Sequence, residues 1–133
     1  MGKNHVLLLG ELLKIKCLYL LQVANGMDFL TQKHIYHGDL ATRNILLTES
    51  LVVKISDFGL SRRLYQDLKD PQDVMKPNEE GRTLPLPVKW MALEVLTHRQ
   101  IVSEKSDVWS YGVLTWEIFQ LGAEPYRIGK NVI

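Results

Sequence analysis

The stretch HIYHGDLATRNILL, residues 34–47, sets a dense cluster of polar side chains directly before an unbroken apolar run. The cluster contains a histidine, an aspartate, an arginine and an asparagine: His37, Asp39, Arg43 and Asn44. Polar residues of these types beside a hydrophobic strand favour a loop that carries out chemistry and is held by a core. The apolar runs Ile45–Leu47 and Val52–Ile55 are separated by the residues TES, so a small two-stranded hairpin is predicted to carry the loop.

Two helices are predicted to flank this hairpin. From Leu12 to about Lys33, apolar residues recur at spacings of three and four, which is typical of a long amphipathic helix. Its expected buried face comprises Leu13, Cys17, Leu20, Leu21, Ala24, Met27 and Leu30. The second helix, within SDVWSYGVLTWEIFQLG at 106–122, is apolar on nearly all sides, which predicts burial all round with Trp109 and Trp116 in the core. Gly122 is expected to end it.

The segment between the hairpin and the second helix has a different character. Residues 61–87 are rich in charge, contain four prolines and show no sustained period, so a long surface loop is predicted. The next residues, VKWMALEVL at 88–96, are predicted to form a short helix or turn.

Composition narrows the class of protein. The 133 residues are 46% hydrophobic and 23% charged, which is typical of one globular domain or a piece of a larger protein. The net charge of +1 gives no support to nucleic-acid binding. Cys17 is the sole cysteine, so no internal disulfide can form, and a buried thiol is expected. The apolar run VLLL is soon interrupted by charged residues, which indicates a cytosolic segment that does not itself contact a membrane.

Four motifs occur in order along the chain: HGDLATRN at 37–44, DFG at 57–59, PVKWMALE at 87–94 and SDVWSYGVLTWEIFQLGAEPY at 106–126. A tripeptide such as DFG is weak by itself, because short motifs recur by chance. As an ordered set that covers about Leu12 to Tyr126, the motifs resemble the C-terminal lobe of a protein kinase. The RN of LATRN and the PVKWMALE segment are similar to the tyrosine-specific branch. The amino-acid sequence around them is similar to that of receptor tyrosine kinases of the platelet-derived or vascular growth factor receptor type, or of the insect Torso receptor.

The resemblance implies a fold that is mainly α (α+β): a protein-kinase-like C-lobe, helical with a small β-hairpin at the catalytic loop. Residues 1–133 would form part of a protein tyrosine kinase domain, with the catalytic loop at 37–44 and the activation segment at 57–94. The activity that it implies is transfer of the γ-phosphoryl group of ATP, with Mg²⁺, to tyrosine side chains of protein substrates.

The resemblance also implies roles in the reaction for individual residues. Asp39 would accept the proton of the attacking tyrosine hydroxyl, and Arg43 would hold that carboxylate and the phenol in place. Asn44 and Asp57 would supply oxygen ligands to Mg²⁺, which prefers such ligands. Leu46 would form the floor under the adenine ring.

Further residues would support or regulate the site. His37 and Phe58 would stack in an internal hydrophobic spine, with Gly59 completing the DFG motif. Asp107 would fasten the backbone of the catalytic loop by hydrogen bonds, which a buried acid must find. Trp90 would mark a surface next to the site. Glu94 is expected to be a buried carboxylate without its usual arginine, which would make the isolated chain poorly stable.

Two departures from the kinase pattern concern regulation. Gly38 stands where most kinases have an arginine that pairs with a phosphorylated loop residue. Tyr65 is the only tyrosine between the DFG and PVKWMALE motifs, and the tyrosine pair that receptor kinases usually carry farther along is replaced by DLKDPQD. The hypothesis is that loop phosphorylation is not the main control, or that Tyr65 serves it. In the second version its phosphate would be received by Arg62, Arg63 or Arg82.

A third departure is the absence from this sequence of the ATP-binding segments of a kinase. The chain contains no Gly-rich phosphate loop, no Val-Ala-Ile-Lys strand and no partner glutamate helix. The N-lobe is therefore expected to be absent and the chain alone to be catalytically silent. Residues 1–10 faintly resemble the family's fourth strand, which suggests a truncated gene model or splice product. The parent is expected to be a single-pass plasma-membrane receptor that carries this segment on its cytoplasmic side.

Other interpretations remain open. Asp39 and Asn44 are also common turn formers, and Asp57 could be a helix N-cap. The chain could be a pseudokinase-like module that binds partners through the surface around Trp90 and the final helices, or a truncated product without function. The presence of Asp39, Asn44 and Asp57 together argues against a scaffold, in which loss of these residues would be harmless.

Overall fold

Along the described chain a small antiparallel hairpin lies between two longer helices. The computed structural model describes residues 2–57, 86–98 and 102–126. Its helices are α1 (Gly2–Gln32), α2 (Leu93–His98) and α3 (Glu104–Phe119), and its strands are β1 (Ile45–Leu47) and β2 (Val53–Ile55). Single 3₁₀ turns lie at Thr42–Asn44 and Val88–Trp90. The expectation of a mainly helical fold with a small hairpin is confirmed.

Helix α1 begins well before the residue that periodicity suggested. It extends from Gly2, so the expected start at Leu12 is wrong, and residues 2–10 are helical and do not form a strand. The physical reason is that this leader contains no proline and is rich in leucine, which favours helix. Gly10 weakens the helix by about 1 kcal/mol relative to alanine, and the other residues outweigh it.

The buried face of α1 lies in its C-terminal half. Leu20, Val23, Met27 and Leu30 are buried there. Of the expected face, Leu13, Leu21 and Cys17 are instead exposed, so the prediction of a buried thiol is wrong. The reason is that β2 and α3 pack against the C-terminal half of α1, and the described residues leave the preceding turns uncovered.

The hairpin packs closely against α1. Its strands pair in the register Ile45↔Ile55, Leu46↔Lys54 and Leu47↔Val53. A Cβ atom on Gly26 of α1 would lie 2.7 Å from the Cδ1 atom of Ile55, so glycine at this position permits the close approach. A larger residue at position 26 would require the Ile55 side chain to shift.

One core joins α1, the hairpin and α3. It consists of Leu20, Val23, Met27, Leu30, Leu40 and Leu114, with Ile45, Val53, Ile55, Tyr111 and Ile118 packed against it. Leu40 is fully buried and lies in the loop between α1 and β1. The loop that carries the polar cluster is therefore anchored by its own apolar side chain.

Helix α3 begins at a capping box and ends near the expected glycine. The Ser103 hydroxyl accepts a hydrogen bond from the Ser106 backbone N–H, and the Ser106 hydroxyl accepts one from the Ser103 N–H. After Phe119 the chain turns through Leu121 and Gly122, both with positive φ, and the Gly122 N–H donates to the Glu117 carbonyl at 2.8 Å.

The burial of α3 differs from the expectation in one respect. Trp109 and Trp116 are 47% and 42% exposed, so their assignment to the core is wrong. The face of α3 that packs against the rest of the described chain is instead largely polar: Ser106, Asp107, Ser110, Val113, Leu114 and Glu117. Because the described residues cover only that face, the two tryptophans line an open cleft together with Pro125 and Tyr126.

Candidate functional site

The start of the polar loop is fastened to α3 by a buried carboxylate. The Asp107 Oδ2 atom accepts a hydrogen bond from the His37 backbone N–H at 2.7 Å, and Oδ1 accepts one from the Gly38 N–H at 2.9 Å. Asp107 is almost wholly buried, and this burial raises the pKa of its carboxyl, while the two N–H donors and His37 oppose the rise. Gly38 has a φ of 76°, a left-handed conformation that suits glycine.

His37 is enclosed between this carboxylate and the hairpin. Its side chain is fully buried, with Nε2 3.0 Å from the Ser56 carbonyl and Nδ1 3.2 Å from the Asp39 backbone N–H. A carbonyl can only accept and an N–H can only donate, so these contacts fit a neutral ring that carries its proton on Nε2. Burial lowers the pKa of His37, and Asp107, the Ser56 carbonyl, Asp39 and Asp57 oppose this effect.

We expect His37 to make the chain less stable as the pH falls below 6.5. The pKa of His37 is 6.5 in the unfolded chain and lower in the folded chain. At a pH between these two pKa values, only the unfolded chain binds the proton. In that window the free energy of unfolding falls by up to about 1.4 kcal/mol for each pH unit lost. Urea titrations at several pH values would measure this slope.

His37→Gln, which cannot titrate, is the matched variant for this measurement. The raised pKa of Asp107 acts in the opposite direction, because its contribution to stability falls as the pH rises above 3.8. Both proteins retain Asp107 and the exposed His34, so the difference between their slopes of unfolding free energy against pH measures the contribution of His37 titration. Equal slopes would contradict the lowered pKa of His37.

Asp39 receives hydrogen bonds on both carboxylate oxygens. Its Oδ1 atom pairs with the Arg43 guanidinium, and its Oδ2 atom accepts from the Asn44 amide at 3.0 Å. The same amide donates to the Asp39 carbonyl at 2.7 Å. The Asp39 side chain is 15% exposed, so the carboxylate is held by both of its oxygens and keeps a small exposure to solvent.

Asp57 is connected to this cluster through Ser56. The Ser56 N–H and hydroxyl both donate to the Asn44 carbonyl, at 2.9 and 3.0 Å, and the hydroxyl also lies 3.3 Å from the Asp57 Oδ2 atom. Asp57 itself is exposed and has a φ of 58°, which aspartate tolerates better than most residues. The antiparallel register of the hairpin thus brings its two ends, with Asn44 and Asp57, to the same edge of the site.

A second buried carboxylate fastens the end of the loop. Glu117 on α3 accepts hydrogen bonds from the Thr42 hydroxyl at 2.7 Å, the Thr42 N–H at 3.1 Å and the Trp90 indole N–H at 2.9 Å. The Arg43 guanidinium in turn lies over the Trp90 ring, with its Cζ atom 4.3 Å from the ring centroid. Sequence reasoning missed Glu117. The signal was available, because an acid inside an otherwise apolar helix needs buried donors.

The remaining predicted residues are placed less centrally or not described. Leu46 lies on β1 and is 55% exposed. Glu94 on α2 is only half-buried, and no buried side-chain polar atom in the described ranges lacks a partner, so the expected buried unpaired carboxylate is not found there. Phe58, Gly59 and Tyr65, together with Arg62, Arg63 and Arg82, lie outside the described residues.

The described ranges contain no group of three or more His, Cys, Asp and Glu side chains that could hold a metal ion by itself. None of their helices combines the length and the apolar character needed to cross a bilayer.

Comparison with known proteins agrees with the motif set. The family model described as protein tyrosine and serine/threonine kinase matches residues 11–132. Over 108 residues, 81% of this chain, the sequence is 54% identical to vascular endothelial growth factor receptor 3 of Danio rerio and 55% identical to receptor 1 of Homo sapiens. It is 55% identical to receptor 1 of Gallus gallus over the same share. The match spans 7% to 8% of the length of these relatives. The resemblance to receptor tyrosine kinases is confirmed, and the chain belongs to the protein tyrosine and serine/threonine kinase family.

Proposed function

We propose that this chain is the catalytic C-lobe of a receptor protein-tyrosine kinase, whose complete domain transfers the γ-phosphoryl group of Mg·ATP to tyrosine. The observation that carries the proposal is the hydrogen-bonded cluster that runs from Asp39 through Asn44 and Ser56 to Asp57. The proposal assigns one proton acceptor and two oxygen ligands for a cation to this cluster, and its support is that hydrogen bonds link the three residues. In this proposal the catalytic loop comprises residues 37–44 and the activation segment residues 57–94.

The side chains present fit a magnesium ion bound together with a nucleotide. Asn44 uses its amide N–H₂ group on Asp39, so its Oδ1 atom is left without a donor among the described residues. Asp57 adds an exposed carboxylate. Mg²⁺ is commonly held by one or two such ligands plus water and substrate phosphates, so a set of two protein oxygens is sufficient. Bound there, the ion would neutralise charge on the phosphate oxygens.

The residues of this chain would handle the tyrosine proton. The partly exposed Asp39 carboxylate would accept a hydrogen bond from the substrate phenol and then its proton. Arg43 and Asn44 hold that carboxylate by its two oxygens, which limits its rotation. Arg43 is 43% exposed at the side-chain level and would also contact the phenol. Leu46, exposed on β1, would provide an apolar surface for the adenine.

The proposal requires a second lobe. This sequence contains no Gly-rich phosphate loop and no Val-Ala-Ile-Lys strand, so the ATP-binding N-lobe would come from the parent receptor. The chain would work on the cytoplasmic side of that receptor, and the chain alone would be inactive. Gly38 replaces the arginine that usually receives a loop phosphate, so we propose that phosphorylation of Tyr65 is not the main control. Stoichiometric phosphate on Tyr65 that raises activity would contradict this part.

The test is phosphate transfer by a joined kinase domain, in which this chain is fused to the ATP-binding lobe of a related receptor tyrosine kinase. We expect Mg²⁺-dependent transfer to a tyrosine peptide and none to the same peptide with phenylalanine. Asp57→Asn should raise the Mg²⁺ concentration needed for half-maximal rate about tenfold or more, because second-sphere or ligand changes at metal sites have effects of this order. Asp28→Asn makes the same change on the exposed face of α1 and serves as control.

Absence of transfer by the joined domain, while the lobe donor's own kinase domain is active, would count against the proposal. An unchanged Mg²⁺ requirement in Asp57→Asn would count against the cation site alone.

A second candidate function, a non-catalytic binding module, is favoured by one observation. Trp109, Trp116 and Tyr126 are exposed around a cleft of about 570 Å³, and large exposed aromatic surfaces are common at sites of protein association. A scaffold of this type would not depend on the Asp39 carboxylate. The Asp39→Asn measurement argued in the Discussion separates the two functions.

A further inference from the structure

We infer that Glu117 is a positioning residue that holds the Asp39–Arg43 pair in its reactive geometry through Thr42 and Trp90. The inference rests on the proposed function, because it assigns Asp39 and Arg43 to the reaction. Glu117 itself contacts neither residue of the pair in the described structure. Its action is indirect, through one contact in the catalytic loop and one in the Val88–Trp90 turn.

The burial of Glu117 shows that its contacts are specific. The residue is 4% exposed, and its two oxygens accept three hydrogen bonds from two residues that are distant in sequence. A carboxylate removed from water is costly unless donors compensate for the lost solvation. The three donors supply that compensation, so the position of the carboxylate fixes the positions of the donors.

The first route runs through the backbone of the catalytic loop. Thr42 starts the 3₁₀ turn that contains Arg43 and Asn44, and both its N–H and its hydroxyl bond to Glu117. Asp107 binds the other end of the same loop at His37 and Gly38. The two carboxylates lie about 15 Å apart along α3, from the rise of an α-helix. The loop that presents Asp39 is therefore fastened to one rigid helix on both sides of Asp39.

The second route runs through an aromatic ring. The indole N–H of Trp90 donates to Glu117, and the centroid of the ring lies 4.3 Å from the Cζ atom of Arg43. An arginine over a tryptophan face is attracted to it, and the attraction depends on the orientation of the ring. Arg43 is otherwise half exposed and would be free to move into solvent. By fixing the ring, Glu117 keeps Arg43 within reach of Asp39.

The hydrogen-bond geometry predicts which replacements preserve this function. In Glu117→Gln the amide oxygen can accept from the Thr42 and Trp90 N–H groups, while the amide nitrogen donates to the Thr42 hydroxyl, which can turn to accept. Glu117→Met has a similar length and no comparable acceptor. Comparison of Glu117→Gln with Glu117→Met therefore separates loss of the hydrogen bonds from loss of the charge.

The first test uses nuclear magnetic resonance on the full 133-residue chain. In the unmodified protein the Arg43 δ-protons should be shifted upfield by the Trp90 ring, and the Trp90 indole N–H should exchange slowly with water. Glu117→Met should abolish both signatures, and Glu117→Gln should keep them. Glu104→Gln, which removes an exposed acid from the same helix, should leave both unchanged. An Arg43 shift that persists in folded Glu117→Met would overturn the inference.

The second test uses the joined kinase domain. Glu117→Met should lower kcat for the tyrosine peptide by roughly 100-fold, the effect expected when a reacting group is displaced by about 1 Å, with the KM for ATP unchanged. Glu117→Gln should restore most of kcat. Trp90→Phe keeps an aromatic ring but removes the N–H, so it tests the second route even where Glu117→Met does not fold, and it should also lower kcat.

The outcomes separate this inference from the proposed function. If Asp39→Asn abolishes transfer while Trp90→Phe and folded Glu117→Met retain the unmodified kcat, the positioning role is wrong and the kinase assignment stands. If Asp39→Asn has no effect, the kinase assignment is wrong, and the magnetic resonance signatures still decide whether Glu117 holds the Arg43–Trp90 stack.

Discussion

Asp39→Asn is expected to lower the kcat of the joined kinase domain by about 10²- to 10⁴-fold, the range found when a general acid or base is removed. The substitution keeps the size and shape of the side chain and removes the group that would accept the phenol proton. An asparagine also places an N–H₂ group against Arg43 or Asn44, both of which now donate to the carboxylate. The measurement is the initial rate of phosphate transfer to a tyrosine peptide at saturating Mg·ATP.

Asp28→Asn is the matched control for this experiment. Asp28 is exposed on α1 and its carboxylate accepts a hydrogen bond from Gln32. The control should leave the rate unchanged, because nothing in the described structure connects Asp28 to the loop. A variant at Asp39 that transfers phosphate as fast as the unmodified domain would favour the binding module over the kinase.

The effect should fall on the chemical step. Among the described residues Asp39 forms its hydrogen bonds with groups of its own loop, and its side chain is 15% exposed to solvent. Loss of an interaction made in the transition state lowers kcat and kcat/KM together, whereas loss of ground-state binding raises KM alone. An increase in KM for the peptide with kcat unchanged would mean that Asp39 binds substrate and does not accept its proton.

The hairpin and its polar loop could be predicted from sequence because their signals are local. Ile45–Leu47 and the run to Ile55 are short, apolar and separated by a polar turn, and the observed strands differ from the prediction by one residue. The ordered motifs likewise indicate the kinase family from sequence alone. Local patterns of this kind depend on residues that are near in the chain.

The burial of α3 could not be predicted because it depends on which neighbours are present. Periodicity shows that Trp109 and Trp116 are apolar, and it does not show what packs against them. In the structure the loop and α1 occupy the side of the helix that carries Asp107 and Glu117, and the tryptophans face the open cleft. A polar buried face on an apolar helix is the opposite of the usual amphipathic arrangement, and it exists because the loop supplies donors.

The contacts of Glu117 could not be predicted from the motifs, because its partners are distant in sequence. Thr42 is 75 residues away in sequence and Trp90 is 27 residues away. The motif assigned Arg43 to the substrate and Trp90 to a surface, and neither assignment implied that the two side chains stack on each other. Only the packed structure places the three together.

The largest expected effect on stability comes from Asp107→Ala. The change leaves the His37 and Gly38 N–H groups without their acceptor, in a part of the chain where His37 is fully buried. A buried donor that loses its partner costs about 1–3 kcal/mol, so two of them should lower the free energy of unfolding by about 2–6 kcal/mol. That is a large share of the roughly 5–15 kcal/mol typical of a domain. Urea unfolding, followed by far-ultraviolet circular dichroism, measures it.

Two further variants make this result specific to the hydrogen bonds. Asp107→Asn retains one carbonyl oxygen, which can accept one of the two N–H groups, while its amide nitrogen faces the other donor, so about half of the loss should remain. Glu104→Gln removes an acid from the exposed first turn of the same helix and should cost well under 1 kcal/mol. Equal midpoints for Asp107→Ala and Glu104→Gln would mean that the loop is held by Leu40 and Glu117 alone. A free energy of unfolding that rises from Asp107→Ala to Asp107→Asn to the unmodified protein would show that the buried carboxylate of Asp107 stabilises the loop through both of its oxygens.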